Sequence, residues 1–296
     1  MENLWWLAAL ISGMLVGVII YLNQIFKMPS SLLMSYRGIL TALLLLPFCC
    51  LFPLPQNPWF WILSSLQGLI VAYCDKKSFV CARVYGGEIV AALRPFAVAF
   101  VLVFWWFVSP SQFIEMLDKP IHSILIVLCI VGVMYSLFVN RTGTVSKNAF
   151  KDLLPALILY SVIDVNNKYA NTIGLDAGLA SSVYWYCFMS SLFAGLPNIT
   201  KFLMHRDWKL IFVPKYMFGG LMMSGSIIIL NAIKNPAMVY APNPAYISAI
   251  MAAYPVWIIA WNCIYYRFKN AEKYHHCNFK AVTILLVSII SLILLQ

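Results

Sequence analysis

Long apolar runs alternate with short polar connections along the whole chain. A helix needs about 20 mostly apolar residues to cross a hydrocarbon core of about 30 Å. Windows of this size predict ten spanning helices, at Leu4–Leu22, Ser31–Phe52, Trp59–Tyr73, Ile89–Val108, Ile121–Val139, Leu153–Tyr169, Leu179–Leu203, Tyr216–Ile233, Tyr246–Tyr266 and Phe279–Leu295. The short connections leave no room for a soluble domain. The pattern therefore predicts an all-α integral membrane protein.

Composition agrees with this prediction, since 62% of the 296 residues are hydrophobic and only 10% are charged. A typical soluble domain has about 25% charged residues. The formal net charge of +10 could indicate a nucleic-acid partner, but the basic residues are spread between apolar segments and form no basic stripe. The start, Met1-Glu2-Asn3, has no positive region or cleavage site, so we expect a retained first helix rather than a signal peptide.

The two halves of the chain resemble each other weakly, which predicts repeats over residues 1–148 and 149–296. An odd number of spans per half requires the two repeats to insert in opposite orientations. The residues that correspond are Ser31 and Ser181, Tyr36 and Tyr186, Pro47 and Pro197, Lys77 and Lys234, and Pro95 and Pro255.

Loop charges support this inversion. Fifteen of the 20 basic residues fall in odd-numbered loops, whereas only Lys119, Lys168 and Lys234 are assigned to even-numbered ones. By the positive-inside rule the odd loops are cytoplasmic and both termini lie on the opposite side. We expect a bacterial inner membrane or a plasma membrane.

This architecture resembles the drug/metabolite transporter superfamily, in its ten-helix EamA-like branch. The features that carry the resemblance are two five-helix halves, each with a lysine after its third span and a proline in its fourth. The resemblance implies alternating access around a central cavity, with substrates ranging from amino acids to sugar phosphates, nucleotide-sugars and drugs.

Charged residues inside a span are functional candidates, because each costs about 2.5 to 3.5 kcal/mol at the bilayer centre. Arg94 precedes Pro95, and a proline bend in a cavity-lining helix would direct the guanidinium toward water. Arginine suits an anionic substrate group. An internal ion pair of Arg94 or Arg37 with Asp164 or Glu88 is the structural alternative.

The sixth segment carries a polar stripe at helical spacing: Tyr160, Asp164, Asn167 and Asn171 share one face. Such a stripe can join helices by hydrogen bonds. Alternatively, Asp164 accepts a substrate amine or a coupling proton.

Aromatic residues could form the walls of a cavity. The candidates are Trp185 in the seventh segment and Tyr254, Trp257 and Trp261 in the ninth, although such stripes are commonly packing residues. With the arginines and Asp164 they would suit a zwitterionic amphipathic metabolite, such as an amino acid or a derivative.

These features predict a secondary transporter, either a monomer or a weak homodimer, with protons as the possible coupling ion. Efflux of cationic drugs is the alternative, and a channel shares the same architecture. A membrane enzyme is a further reading, but the chain has no H-E-x-x-H or G-x-S-x-G motif. The cysteines show no metal-ligand spacing, so no metal or other cofactor is expected.

Overall fold

The computed structural model describes residues 4–86, 89–90, 93–139, 146–204, 207–254, 256–258 and 279–295. All regular structure in these ranges is helical. The helices are α1 (Trp5–Phe26), α2 (Ser30–Ser35), α3 (Thr41–Cys49), α4 (Pro58–Tyr85), α5 (Phe96–Val108), α6 (Pro110–Asp118), α7 (Pro120–Val139), α8 (Lys147–Ile173), α9 (Leu179–Met204), α10 (Pro214–Tyr240), α11 (Pro244–Met251) and α12 (Phe279–Leu294). A π-helical turn, Tyr36–Leu40, joins α2 to α3.

Local sequence signals fix several helix starts. Proline occupies the first helical position of α4 and α11, where its missing N–H is not needed. Asn57 and Asn243 precede them, and their side-chain oxygens accept hydrogen bonds from Trp59 N at 3.0 Å and Ala245 N at 2.9 Å. These caps satisfy backbone donors that the helix itself leaves free.

Each predicted segment coincides with helical structure, although the ninth is described only as far as residue 258. Within the described ranges, five helices are long and apolar enough to cross a membrane, or six if α5 and α6, bent by 106°, form one span. These helices establish a multi-pass membrane protein. The count of ten spans stays a prediction.

The structure corrects the loop assignment of several charged residues. Helix α4 continues to Tyr85, so Lys76 and Lys77 lie inside a helix rather than in a connection. Lys168 and Lys234 likewise lie within α8 and α10. Both are anchored by partners inside the protein, so their charges carry no information about loop orientation.

The chain breaks its helical geometry at two related places. Residues 94–95 form a turn before α5, and residues 252–253 form a turn after α11. Tighter hydrogen bonds replace the helical ones there, from Ala97 N to Arg94 O at 3.0 Å and from Ala253 N to Ile250 O at 3.1 Å. Each break lies beside a proline in the sequence, at Pro95 and Pro255, and Pro255 is outside the described residues.

The helices pack in pairs that link the two halves of the sequence. Helix α1 packs on α10 and α11, while α8 packs on α4 and α5. Helix α7 packs on α12, α5 on α11, and α9 on the α2–α3 segment.

Small residues permit the closest of these crossings. A side chain at Gly38 would collide with the backbone at Gly195, and a Cβ at Gly195 would lie 2.6 Å from Ile39 N. The two backbones therefore cross in direct contact, as small residues allow in membrane helices. This crossing holds the π turn, which contains Arg37, against α9.

Candidate functional site

The first charged cluster centres on Asp75 of α4, which is buried. Its Oδ2 accepts a hydrogen bond from Arg37 Nη1 at 2.6 Å, and its Oδ1 accepts one from the Tyr160 hydroxyl at 3.0 Å. Ser78 Oγ lies 3.1 Å from the same hydroxyl. The cluster joins the π turn, α4 and α8, and both carboxylate oxygens of Asp75 have donors.

The second cluster centres on Asp164, one helical turn after Tyr160 on α8. Lys234 Nζ of α10 donates to Asp164 Oδ1 at 2.8 Å, and Ser248 Oγ of α11 donates to Asp164 Oδ2 at 2.7 Å. The side chains of Lys234 and Asp164 are 15% and 20% exposed. This pair ties three helices together and also leaves neither carboxylate oxygen without a donor.

Arg94 lies between the two clusters, at the helix break before α5. Its guanidinium carbon is 4.5 Å from the centre of the Tyr160 ring, and Asp75, Asp164 and Tyr254 are its other electrostatic neighbours. Its side chain is nevertheless exposed. Arg94 therefore keeps accessible surface although charged and aromatic side chains of neighbouring helices lie around it.

Arg94 differs from Arg37 and Lys234 in having no ion-pair partner among the described residues. Among the described residues, its guanidinium forms no ion pair and no hydrogen bond, and its contact with Tyr160 is a cation–π interaction. Arg37 and Lys234 each pair with one aspartate. The described part of the site therefore holds three positive and two negative side chains.

The polar stripe on α8 divides into two parts with different surroundings. Tyr160 and Asp164 join the charged clusters, whereas Asn167 and Asn171 are buried in a neutral amide network. Asn167 Nδ2 donates to Asn235 Oδ1 at 3.0 Å, and Asn171 Nδ2 donates to Asn167 Oδ1 at 3.0 Å. The first of these bonds holds α8 against α10, which is the helix-joining role described above for such a stripe, and the second lies within α8.

Lys168 binds backbone carbonyls rather than a carboxylate. Its Nζ donates to three carbonyls near the C-terminal end of α10, those of Met238 at 2.9 Å, Val239 at 3.0 Å and Ala241 at 2.5 Å. It also lies 5.3 Å from the ring centre of Trp105. A cation at this position satisfies carbonyls that the end of a helix leaves free.

The predicted aromatic residues lie in different surroundings. Tyr254 is the one that neighbours Arg94. Trp185 packs edge-on against Trp61, with ring centres 5.5 Å apart, and Trp257 packs near Gly17 of α1. Trp261 lies outside the described residues, as does Glu88.

Two of the buried polar groups near these clusters have no partner among the described residues. They are the Trp185 indole nitrogen and the Tyr186 hydroxyl. Tyr186 is only 3% exposed and is an electrostatic neighbour of Asp164. Buried polar groups normally have a hydrogen-bond partner. Tyr186 thus offers an unused donor beside the second cluster.

Sequence reasoning located four members of the charged site and missed three. The structure brings together Arg37, Arg94, Tyr160 and Asp164, but Asp164 does not form the expected ion pair with an arginine. Asp164 bonds Lys234, not an arginine, and Arg37 bonds Asp75. Asp75, Lys234 and Ser248 were not predicted. For Asp75 and Lys234 the signal was the continuation of helical apolar spacing past the ends of the predicted segments, whereas Ser248 lies inside the ninth predicted segment and had no such signal.

The fold and this buried charged site define an all-helical, multi-pass membrane protein with a polar centre. No protein-family model matches the chain, and no curated protein is significantly similar to it. No group of three or more His, Cys, Asp or Glu side chains among the described residues is placed to hold a metal ion.

Proposed function

We propose that this protein is a secondary transporter that moves a small amphipathic metabolite, an amino acid or a derivative, by alternating access. It would follow the ten-helix, two-repeat plan of the drug/metabolite transporters. The observation that carries the proposal is Arg94, an accessible guanidinium without an anionic partner among the described residues, at a helix break between two charged clusters.

The helix breaks support this proposal. Transporters commonly bind substrate near the bilayer midplane, where interrupted helices from both repeats meet. Here the turns at 94–95 and 252–253 fall in corresponding segments of the two halves, and Arg94 and Tyr254 are electrostatic neighbours. Irregular backbone at membrane depth is tolerated where it lines a cavity.

The helix pairing supports the two-repeat plan. The contacts of α1 with α10 and α11 correspond to those of α8 with α4 and α5. Two halves related in this way can rock against each other around a fixed central site. Asp164 sits where α8 meets α10 and α11, so we propose it as the coupling residue.

Transport in proteoliposomes tests the function. We expect a solute to be taken up against its gradient when a pH gradient is imposed. This coupling should be lost in Asp164→Asn and kept in Asp152→Asn. Asp152 is the matched control because it is an exposed aspartate on the same helix. If no solute from a broad metabolite panel is bound or moved, the protein is not a transporter. If uptake keeps its gradient dependence in Asp164→Asn, the coupling assignment is wrong.

A further inference from the structure

The charge arrangement of the site narrows its substrate class. The four carboxylate oxygens of Asp75 and Asp164 already accept hydrogen bonds, from Tyr160, Arg37, Lys234 and Ser248. Each aspartate is also neutralised by its own base. A substrate ammonium would therefore meet neutralised carboxylates whose oxygens each already accept one hydrogen bond.

The groups around the two clusters that have unused hydrogen-bonding capacity are donors. Arg94 has five N–H donors and bonds none of them to a described side chain, and Arg37 uses one nitrogen on Asp75 while its side chain is 37% exposed. The Tyr186 hydroxyl beside Asp164 also has no partner among the described residues. These donors suit the oxygens of a carboxylate or a phosphate.

The local charge works in the same direction. Three bases and two acids leave one net positive charge on the described part of the site, and it is located on Arg94, the base without an acidic partner. A bound monoanion would neutralise this charge, whereas a cation would increase it. A zwitterion could pair its carboxylate with this guanidinium, but its ammonium would then lie in the site without an unpaired carboxylate to receive it.

We propose that the substrate is a net anion, whose carboxylate or phosphate oxygens bind the guanidinium of Arg94 with support from Arg37. This inference rests on the proposed transport function and narrows the substrate from amino acids to acids without a compensating ammonium. It also argues against efflux of cationic drugs.

A set of probes that share the same phenyl ring and differ in charge tests the charge preference directly. Binding to the purified full-length protein is measured by calorimetry and by thermal stabilisation for 3-phenylpropionate, phenylalanine and 2-phenylethylamine, which carry the same ring and differ in charge. Lactate, glucose 6-phosphate and tetraphenylphosphonium extend the set to a small carboxylate, a phosphate and a lipophilic cation.

We expect at least one anionic probe to bind and the cations and phenylalanine to bind at least tenfold more weakly. Arg94→Gln should weaken the anion roughly 10- to 100-fold, which is the effect of losing hydrogen bonds to a charged group. Arg94→Lys should recover part of the affinity, because it keeps the charge and loses the planar fork. Carboxylate or phosphate preference follows from which anionic probe binds.

A second variant makes the charge argument falsifiable even if Arg94 variants fold poorly. Lys234→Gln removes the base that neutralises Asp164, so phenylalanine and 2-phenylethylamine should gain affinity at least severalfold relative to 3-phenylpropionate. Unchanged ranking in Lys234→Gln, or tightest binding of a cation or zwitterion by the wild type, overturns the inference while leaving transport intact. Binding of no probe in any charge class, together with no uptake of any solute, overturns the proposed function as well.

Discussion

Breaking the Lys234–Asp164 pair should destabilise the protein, and removing both charges should restore much of the loss. At 2.8 Å, the Coulomb attraction is about 6 kcal/mol with an effective dielectric constant of 20 and about 1.5 kcal/mol in bulk water. The side chains are 15% and 20% exposed, so the pair lies between a surface pair and a fully buried one.

Exposed pairs contribute about 0 to 1 kcal/mol, and removing one partner of a buried pair costs about 3 to 5 kcal/mol. We therefore expect Lys234→Met to lower the free energy of unfolding by about 2 to 4 kcal/mol. Asp164→Asn should cost about 2 kcal/mol, because the amide oxygen still accepts from Ser248 while Lys234 loses its partner.

The assay is a double-mutant cycle on the purified protein, with unfolding followed by the fluorescence of its 10 tryptophans. Lys234→Met should lower the unfolding temperature by roughly 5 to 15 °C. The double variant should be more stable than the sum of the single losses predicts, by about 2 kcal/mol. If the losses simply add, the two side chains do not interact in the protein and the second cluster is not as described.

Three further outcomes follow from the structure. Lys168→Met should cost about 3 kcal/mol, because the carbonyls at the end of α10 lose their donor, whereas full stability would show that water replaces it. Tyr36→Phe should lower the free energy of unfolding by about 1 kcal/mol, because the Tyr36 hydroxyl donates to Ile211 O at 2.7 Å. Tyr186→Phe should hardly change thermal unfolding, because the Tyr186 hydroxyl has no partner among the described residues. In the proposed orientation, the exposed Cys50 should react with a membrane-impermeant maleimide added outside the cell. A cysteine replacing Lys147 should react only after the membrane is opened. The opposite labelling pattern would show that the orientation is reversed.

The positions of the helices could be predicted because a span must be long and apolar, and both properties are visible in the sequence. The extent of α4 could not be predicted in the same way. Lys76 and Lys77 interrupt its hydropathy and so resemble a loop, although Phe79, Val80 and Val84 continue an apolar pattern at helical spacing. Helix α4 also carries Asp75, which pairs with Arg37 inside the protein, so its composition is not uniformly apolar.

The site was predictable where charge lies inside an apolar window, as for Arg37, Arg94 and Asp164. Asp75 and Lys234 escaped because they fall at the ends of such windows, where a charge normally marks a loop. Their pairing depends on tertiary contacts over 38 and 70 positions of sequence. No local pattern specifies which acid meets which base over such separations.

The cost of embedded charge argues that Arg94 is kept for a reason other than folding. Insertion scales assign each charged side chain about 2.5 to 3.5 kcal/mol at the bilayer centre, and pairing offsets this cost for Arg37 and Lys234. Arg94 has the ring of Tyr160 and the electrostatic attraction of Asp75 and Asp164, but neither carboxylate forms an ion pair with it. The same reasoning explains why α4 and α8, which carry the two aspartates, are not among the five helices apolar enough to cross a membrane by composition. Asp75 and Asp164 lower the hydropathy of these two helices, whereas Arg37 and Lys234 lie in segments that are apolar enough to span despite their charge.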